Sequence, residues 1–279
     1  MPTSRSSCGA RARAHGERMS ESHQVTLEHF RTHGWVRIRG AFSADDAAAM
    51  CDVIWGALVK VGIRRDDPST WTNARPEHLQ RLKSDSVFGA VGTARTIGAI
   101  EEVLEGQTWR APKDWGGFFL QFPVGREWHV PSEGWHIDGD YTGQLVPPYA
   151  VKVHAMLSNV GPRCGGMNIL SGSHRLAHKW FTEHSPAGAT RGAQLRKSLQ
   201  RHPYIRALCT AGDTSIRNAR FHERAEEIDG IALQVLENTA SAGDLILMHG
   251  LLLHAPPAAH TGTQPRFLLN KDIVLRPWW

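Results

Sequence analysis

The rhythm of apolar and polar positions changes about a third of the way along the chain. Before that point it is mixed. Residues Val25 to Phe30 read as the start of a short helix or a lead into one. Over 34–42, Trp35, Arg37 and Arg39 alternate with Val36 and Ile38, the period of a strand. Ser43 suits a helix cap, and Asp46 adds negative charge to the first turn. Beyond it Met50, Cys51, Ile54, Trp55, Leu58 and Val59 share a helical side that needs something larger to dock on. Residues 64–80 read as loop. Ile97, Ile100, Val103 and Leu104 recur at helical spacing over 94–105, and Gly106 ends that run.

From Gly116 onward the texture is one of short apolar runs between Gly and Pro. Phe118–Phe122, Ala150–Leu157, Ile231–Glu237, Leu245–Met248 and Phe267–Leu275 predict five strands. Between 229 and 276 no helical pattern of the roughly 10–15 residues that βαβ units need is present, so a sandwich or closed barrel is expected. The stretch between Ser173 and Glu227 has weak periodicity and reads as a long irregular insertion, a lid or a surface loop.

Composition narrows this picture in three ways. The first twenty residues carry Arg5, Arg11, Arg13 and Arg18 against Glu17, so most of the net charge of +5 lies there. With no basic run interleaved with aromatics, nucleic acid is not an expected partner. Cys8, Cys51, Cys164 and Cys209 lie far apart with no CxxC pair, which fits free thiols in a reducing cytoplasm. No secretory h-region is visible, and no apolar run approaches the roughly 18 residues of a membrane span. The expectation is a cytoplasmic protein without a membrane partner, its residues 1–22 a loose tail.

The 16 histidines are many for 279 residues, and imidazole is both a metal ligand and an acid or base near neutrality. One segment organises them. In Trp135-His136-Ile137-Asp138 the histidine and the aspartate are two apart, and on an extended segment both would face one side. An imidazole and a carboxylate so placed make up half of a 2-His-1-carboxylate facial triad, which leaves coordination positions open. Alone the pair is a weak signal. A distant apolar strand, Leu245 to Met248, leads through Gly250 to His254, and Arg266 follows at the opening of the last strand. Arginine there can hold a dicarboxylate by a bidentate pair. The order of the parts is more specific than any one of them.

With these segments in view, the chain resembles the phytanoyl-CoA dioxygenase family of Fe(II)- and 2-oxoglutarate-dependent oxygenases. The resemblance is carried by residues 30–42 with the helix after them, Trp135–Asp138, the Gly165–His174 segment and Gly243 through His254. It implies a mainly β fold, the double-stranded β-helix (jelly-roll, cupin-like). Helices flank that fold over about 43–106, the core covers about 116–276, and a variable insertion covers about 176–228, all in one domain from 23 to 279. It further implies His136, Asp138 and His254 as iron ligands and Arg266 as partner of the 2-oxoglutarate distal carboxylate. Gln121 becomes a cosubstrate contact, O2 the oxidant, and a small-molecule metabolite the substrate, with succinate and CO2 released. Two positions depart from the family pattern: Pro256 replaces a hydroxyl that commonly follows the distal histidine, and Ser171 replaces the usual proline before Gly-Ser-His. Asp138 is retained where the related halogenases have a small residue, so hydroxylation is the expected outcome.

Other residues carry plainer readings beside functional ones. Asp140 and Tyr141 lie on a rim, facing substrate or solvent. His154, in an apolar strand, is a core histidine or a contact to substrate or cosubstrate. His249 rivals His254 but precedes a glycine, as a turn or core histidine would. His174 fixes its turn by hydrogen bonds, Trp135 packs opposite His136, and Trp278 and Trp279 cover the sheet or meet a partner. Two further classes stand beside the oxygenase: a cupin-like metal enzyme not using 2-oxoglutarate, and a catalytically inactive binding protein on the same scaffold.

Overall fold

The computed structural model describes residues 21–71, 77–138, 140–184, 192–257 and 260–275. Of the expected tail 1–22, residues 1–20 lie outside them, as does the Trp278–Trp279 pair, while Glu21 and Ser22 already belong to a helix. The front third holds α1 (Glu21–His33), β1 (Trp35–Ile38), α2 (Ala44–Val59) and α3 (Ala94–Val103). The predicted cap is in place, since the Asp46 N–H donates to Ser43 Oγ at 3.0 Å. The first strand is shorter than its alternation suggests, because Gly40 at φ +56° turns the chain after Ile38.

The strands that follow are β2 (Gly117–Gln121), β3 (Ala150–Met156), β4 (Asn168–Ser171), β5 (Glu226–Ile228), β6 (Ile231–Glu237), β7 (Leu245–His249), β8 (His254–Ala255) and β9 (Arg266–Val274). They form two antiparallel sheets, in the orders β1-β7-β3-β9-β2 and β5-β6-β4-β8. This is the double-stranded β-helix. Period-two alternation sorts the side chains of each strand between two faces. Met156, Ile246, Met248 and Leu268 from the larger sheet meet Ile169 and Leu236 from the smaller one, forming the inner core. The alternate residues Val151, Val153, Leu245, Leu247, Phe267 and Leu269 pack outward in the same cluster as Met50, Ile54 and Leu58 of α2 and Ile100 of α3.

The reading of 173–227 as irregular needs correction. The described part carries four helices, α4 (Ser173–His184), α5 (Gly192–Leu199), α6 (Pro203–Leu208) and α7 (Thr214–Phe221). Leu176, Phe181, Leu195, Leu199, Ile205 and Phe221 cluster with the outward residues Leu170, Leu233 and Val235 of the smaller sheet. Thus each sheet has its own helical cover. The second cover also grips the chain just ahead of residue 136. The Val130 N–H donates to Asn218 Oδ1 at 2.8 Å, and Arg217 Nη2 donates to the Pro131 carbonyl at 2.9 Å. Arg217 further donates to the carbonyls of Ala207, Leu208 and Thr210, so one buried guanidinium ties the end of α6 to that segment.

Candidate metal centre

His136, Asp138 and His254 converge. Their ligand atoms lie within 4.8 Å of one another, with His136 Nε2 3.4 Å from Asp138 Oδ1 and His254 Nε2 3.1 Å from Asp138 Oδ2. The reason differs from the one expected. Residues 135–138 are not a regular strand; a single bridge pairs His136 with His254, through reciprocal N–H to carbonyl bonds of 2.9 and 3.0 Å. One ligand is therefore positioned by the backbone of another. Gly134, at φ +78°, sits so close to Pro256 that a Cβ would come within 2.9 Å of its ring.

The rings are oriented from behind. His136 Nδ1 lies 2.6 Å from the Gly134 carbonyl and His254 Nδ1 2.9 Å from the Leu252 carbonyl. A carbonyl can only accept, so each Nδ1 carries the proton and each Nε2 lone pair is left toward the centre. Burial works against the Asp138 charge, but hydrogen bonds from the His136 and His254 rings when a proton takes the metal's place on Nε2, together with the charge of Lys152, outweigh it. Its carboxyl is held well below the ordinary range. The bond to Asp138 in turn raises the His136 pKa against burial. Two imidazole nitrogens and a carboxylate oxygen, with tautomers already set, fit a divalent first-row metal such as iron.

Three residues without a role in the sequence reading, Lys152, Asn270 and Asp272, adjoin this set. Lys152 is buried, with Nζ 2.7 Å from Asp138 Oδ2, 2.9 Å from Asp272 Oδ1 and 3.2 Å from Asn270 Oδ1. The β3–β9 register places Lys152 opposite Asp272 and His154 opposite Asn270, so the network stands on one sheet face. His260 lies near Arg266 and is taken up below. A lysine in an apolar strand two residues before a histidine was the one visible signal for this network. Its aspartate partners could not be paired with it without the register.

The remaining predicted residues divide. His154 is 1% exposed on the inward face of β3, and burial with Lys152 nearby drives its pKa well down, leaving a neutral ring. Arg266 opens β9 directly opposite Gln121 on β2. Burial lowers the Arg266 pKa to about 10, which still leaves a cation at neutral pH, and no acceptor meets its Nε among the described residues. Asp140 is exposed. Tyr141 turns away to α4, its hydroxyl 2.8 Å from Thr182 Oγ1 and its ring against Phe181. His249 has both nitrogens engaged: Nε2 lies 3.0 Å from the Leu145 carbonyl, and Nδ1 accepts the Leu251 N–H at 3.0 Å. His174 bonds the Arg31 carbonyl at 3.0 Å, and Trp135 is buried with its indole donating to the Pro131 carbonyl. A small cavity of about 70 Å³ adjoins the triad, with Asp138, Lys152, His254 and Asp272 on its polar side and Met248 and Val274 on its apolar side.

No protein-family model matches the sequence, and no curated protein does. Solved structures do share the fold. AviO1 from Streptomyces viridochromogenes Tue57 aligns with a TM-score of 0.51 at 16% identity, over 90% of this chain and 94% of that one. EvdMO1 aligns at 0.53 and 14% identity, over 91% of this chain and half of the other (50%). The non-heme alpha ketoglutarate dependent epimerase SnoN from nogalamycin biosynthesis is a looser match, at 0.46 and 14% identity over 91% and 83% of the two chains. At such identities the likeness establishes the fold alone. Fold and side-chain geometry together define the class: a 2-His-1-carboxylate centre on a double-stranded β-helix.

Proposed function

We propose that the chain is an Fe(II)- and 2-oxoglutarate-dependent oxygenase, similar to the phytanoyl-CoA dioxygenase family, acting on a small-molecule metabolite. The observation that carries the reading is the pairing of an open three-donor centre with a buried arginine whose Nε lacks an acceptor among the described residues. A buried cation is costly unless an anion meets it, and Glu237, whose charge favours the Arg266 cation, gives its oxygens to the Arg163 and Gly166 N–H groups. Arg266 thus supports a carboxylate-bearing cosubstrate over a cupin-like enzyme without one.

In this reading His136, Asp138 and His254 would hold the metal, which with O2 as oxidant and 2-oxoglutarate as co-reductant would supply the oxidising chemistry, with succinate and CO2 as coproducts. Arg266 binds the distal carboxylate, with Gln121 beside it across the strand pair. His154 lines the same interior as a neutral ring that adds no charge. Lys152 holds the Asp138 oxygen nearest it, and Asp272 and Asn270 hold Lys152, so the carboxylate is fixed before substrate arrives. The substrate occupies the cavity between this charged row and the Met248–Val274 wall. Among the described residues no helix is long and apolar enough to cross a membrane. The finer reading is a cytoplasmic enzyme with neither nucleic acid nor membrane as partner.

A metabolite screen that follows succinate release with Fe(II) and ascorbate tests the proposal. Succinate formation that requires both iron and 2-oxoglutarate is expected. A chain that releases none with any metabolite pool, while binding iron, contradicts it.

A further inference from the structure

Two buried side chains beside the β2–β9 pair each keep one nitrogen without an acceptor among the described residues. Arg266 is 4% exposed, and among the described residues its Nε meets no acceptor. His260 is fully buried at 0%, and its Nε2 is also without a partner among them. The other ring nitrogen settles the tautomer. His260 Nδ1 accepts the Gly262 N–H at 3.1 Å, so the proton of the neutral ring sits on Nε2, as a donor. Burial lowers the pKa of the ring and Arg266 pushes the same way; the Gln264 carbonyl pulls in the other direction but does not reach hydrogen-bond geometry with Nε2, so the neutral form prevails.

Three side chains share this place. A Cβ on Gly165 would lie 2.8 Å from His260 Cδ2 and 3.1 Å from Gln121 Cγ, so both side chains rest on one glycine. That glycine is also needed for its backbone, at φ +80°. Gln121 faces Arg266 across the β2–β9 pair. The His260 backbone is pinned as well, its carbonyl accepting the Val124 and Gly125 N–H groups at 3.0 and 3.3 Å. Buried polar groups in folded proteins are nearly always bonded, and unmet ones mark a missing partner. Two neighbouring donors, one cationic and one neutral, call for an anion with more than one acceptor oxygen.

We infer that His260 is a second donor, beside Arg266, to the distal carboxylate of 2-oxoglutarate. The inference rests on the cosubstrate reading above. Arg266 supplies the charge, and His260 supplies a fixed N–H that recognises the second oxygen without adding another buried cation. His260 thereby sharpens selection for a five-carbon dicarboxylate over a keto acid of equal length ending in methyl.

The test measures equilibrium binding of 2-oxoglutarate and of 2-oxopentanoate to the Zn(II)-loaded full chain by calorimetry. His260→Leu is expected to weaken 2-oxoglutarate about tenfold, as for one hydrogen bond to a charged group, and to leave 2-oxopentanoate within about twofold. His260→Gln, which keeps an N–H, restores most of the loss. Equal weakening of both acids by His260→Leu, or of neither, overturns the inference. If the substitution unfolds the chain, the ¹⁵N resonance of His260 Nε2 in the unaltered protein decides: it moves with 2-oxoglutarate and not with 2-oxopentanoate, and the reverse or no movement is contrary. Absence of 2-oxoglutarate binding to the wild-type chain would sink the cosubstrate reading itself. Normal binding that ignores His260 sinks only this inference.

Discussion

The two halves of the centre are built differently. Lys152, His154, Asn270 and Asp272 stand on a continuous ladder of β3 and β9, and Arg266 on the β2–β9 pair, inside the larger sheet. His136 and Asp138 sit on irregular chain held by one bridge to His254 and, a few residues earlier, by contacts from α7. On the ladder side Lys152, His154 and Arg266 are buried while Asp272 is about half open, at 48%; on the coil side Asp138 has a third of its side chain open, at 33%. Binding residues on a rigid sheet hold their geometry; ligands on a coil need outside support. The helical cover over 173–221 is that support, which gives the insertion a role in the centre without contact to it.

Substitutions on the two sides should therefore fail in different ways. The largest effect is expected at the centre itself: Asp138→Ala removes a donor and the partner of Lys152 together. Succinate release should fall more than about a hundredfold, with bound iron reduced in parallel. Metal content by elemental analysis checks this, and full iron occupancy would argue against Asp138 as a ligand.

Acid should act next most strongly, and on packing rather than chemistry. Burial holds His174 near a pKa of about 3 and His249 near about 4, both below the ordinary value of 6.5. Each lowered value means stability that is present above pH 6.5 and is lost as pH falls toward the folded-state value. Urea unfolding at pH 7.5 and 4.5 should differ by about 2–3 kcal/mol for each ring. A flat profile over that range would contradict the burial of both.

The coil side can be loosened from a distance. Arg217→Ala removes four hydrogen bonds to carbonyls, of which Pro131 keeps the Trp135 indole and Ala207 keeps the Thr210 N–H, and should cost about 2–4 kcal/mol. Faster amide exchange is expected at residues 128–138, with β3 and β9 unchanged. Uniform change in both regions would erase the contrast drawn between them. On the ladder side, Lys152→Met should cost about 1–3 kcal/mol, since its carboxylate partners are partly open to water. Its thermal unfolding should shift more than that of Asp272→Asn.

Much of this contrast was legible before the structure, and unevenly so. The long strands 150–156, 231–237 and 266–274 announce themselves because seven or more residues give a clear alternation. β4 and β8, of four and two residues, are too short to show a period. The same holds for α5 to α7 at six to eight residues, where only pairs such as Leu195 and Leu199 repeat. Their caps were visible in hindsight: Asp213 accepts the Ser215 and Ile216 N–H groups, and Pro203 follows the capping His202. The triad residues were found through motif order, yet the same-face argument for His136 and Asp138 does not describe how they meet. Lys152–Asp272 and His260–Arg266 depend on strand register and on a loop's path, which residue spacing does not encode.

The central claim is that the triad and Arg266 serve one cosubstrate. Anaerobic titration of 2-oxoglutarate into the chain, with and without Fe(II), tests it most directly. Binding should require the metal, and His254→Ala and Arg266→Met should each weaken it at least about tenfold. Binding that persists undiminished without iron, or that ignores Arg266, would contradict the account.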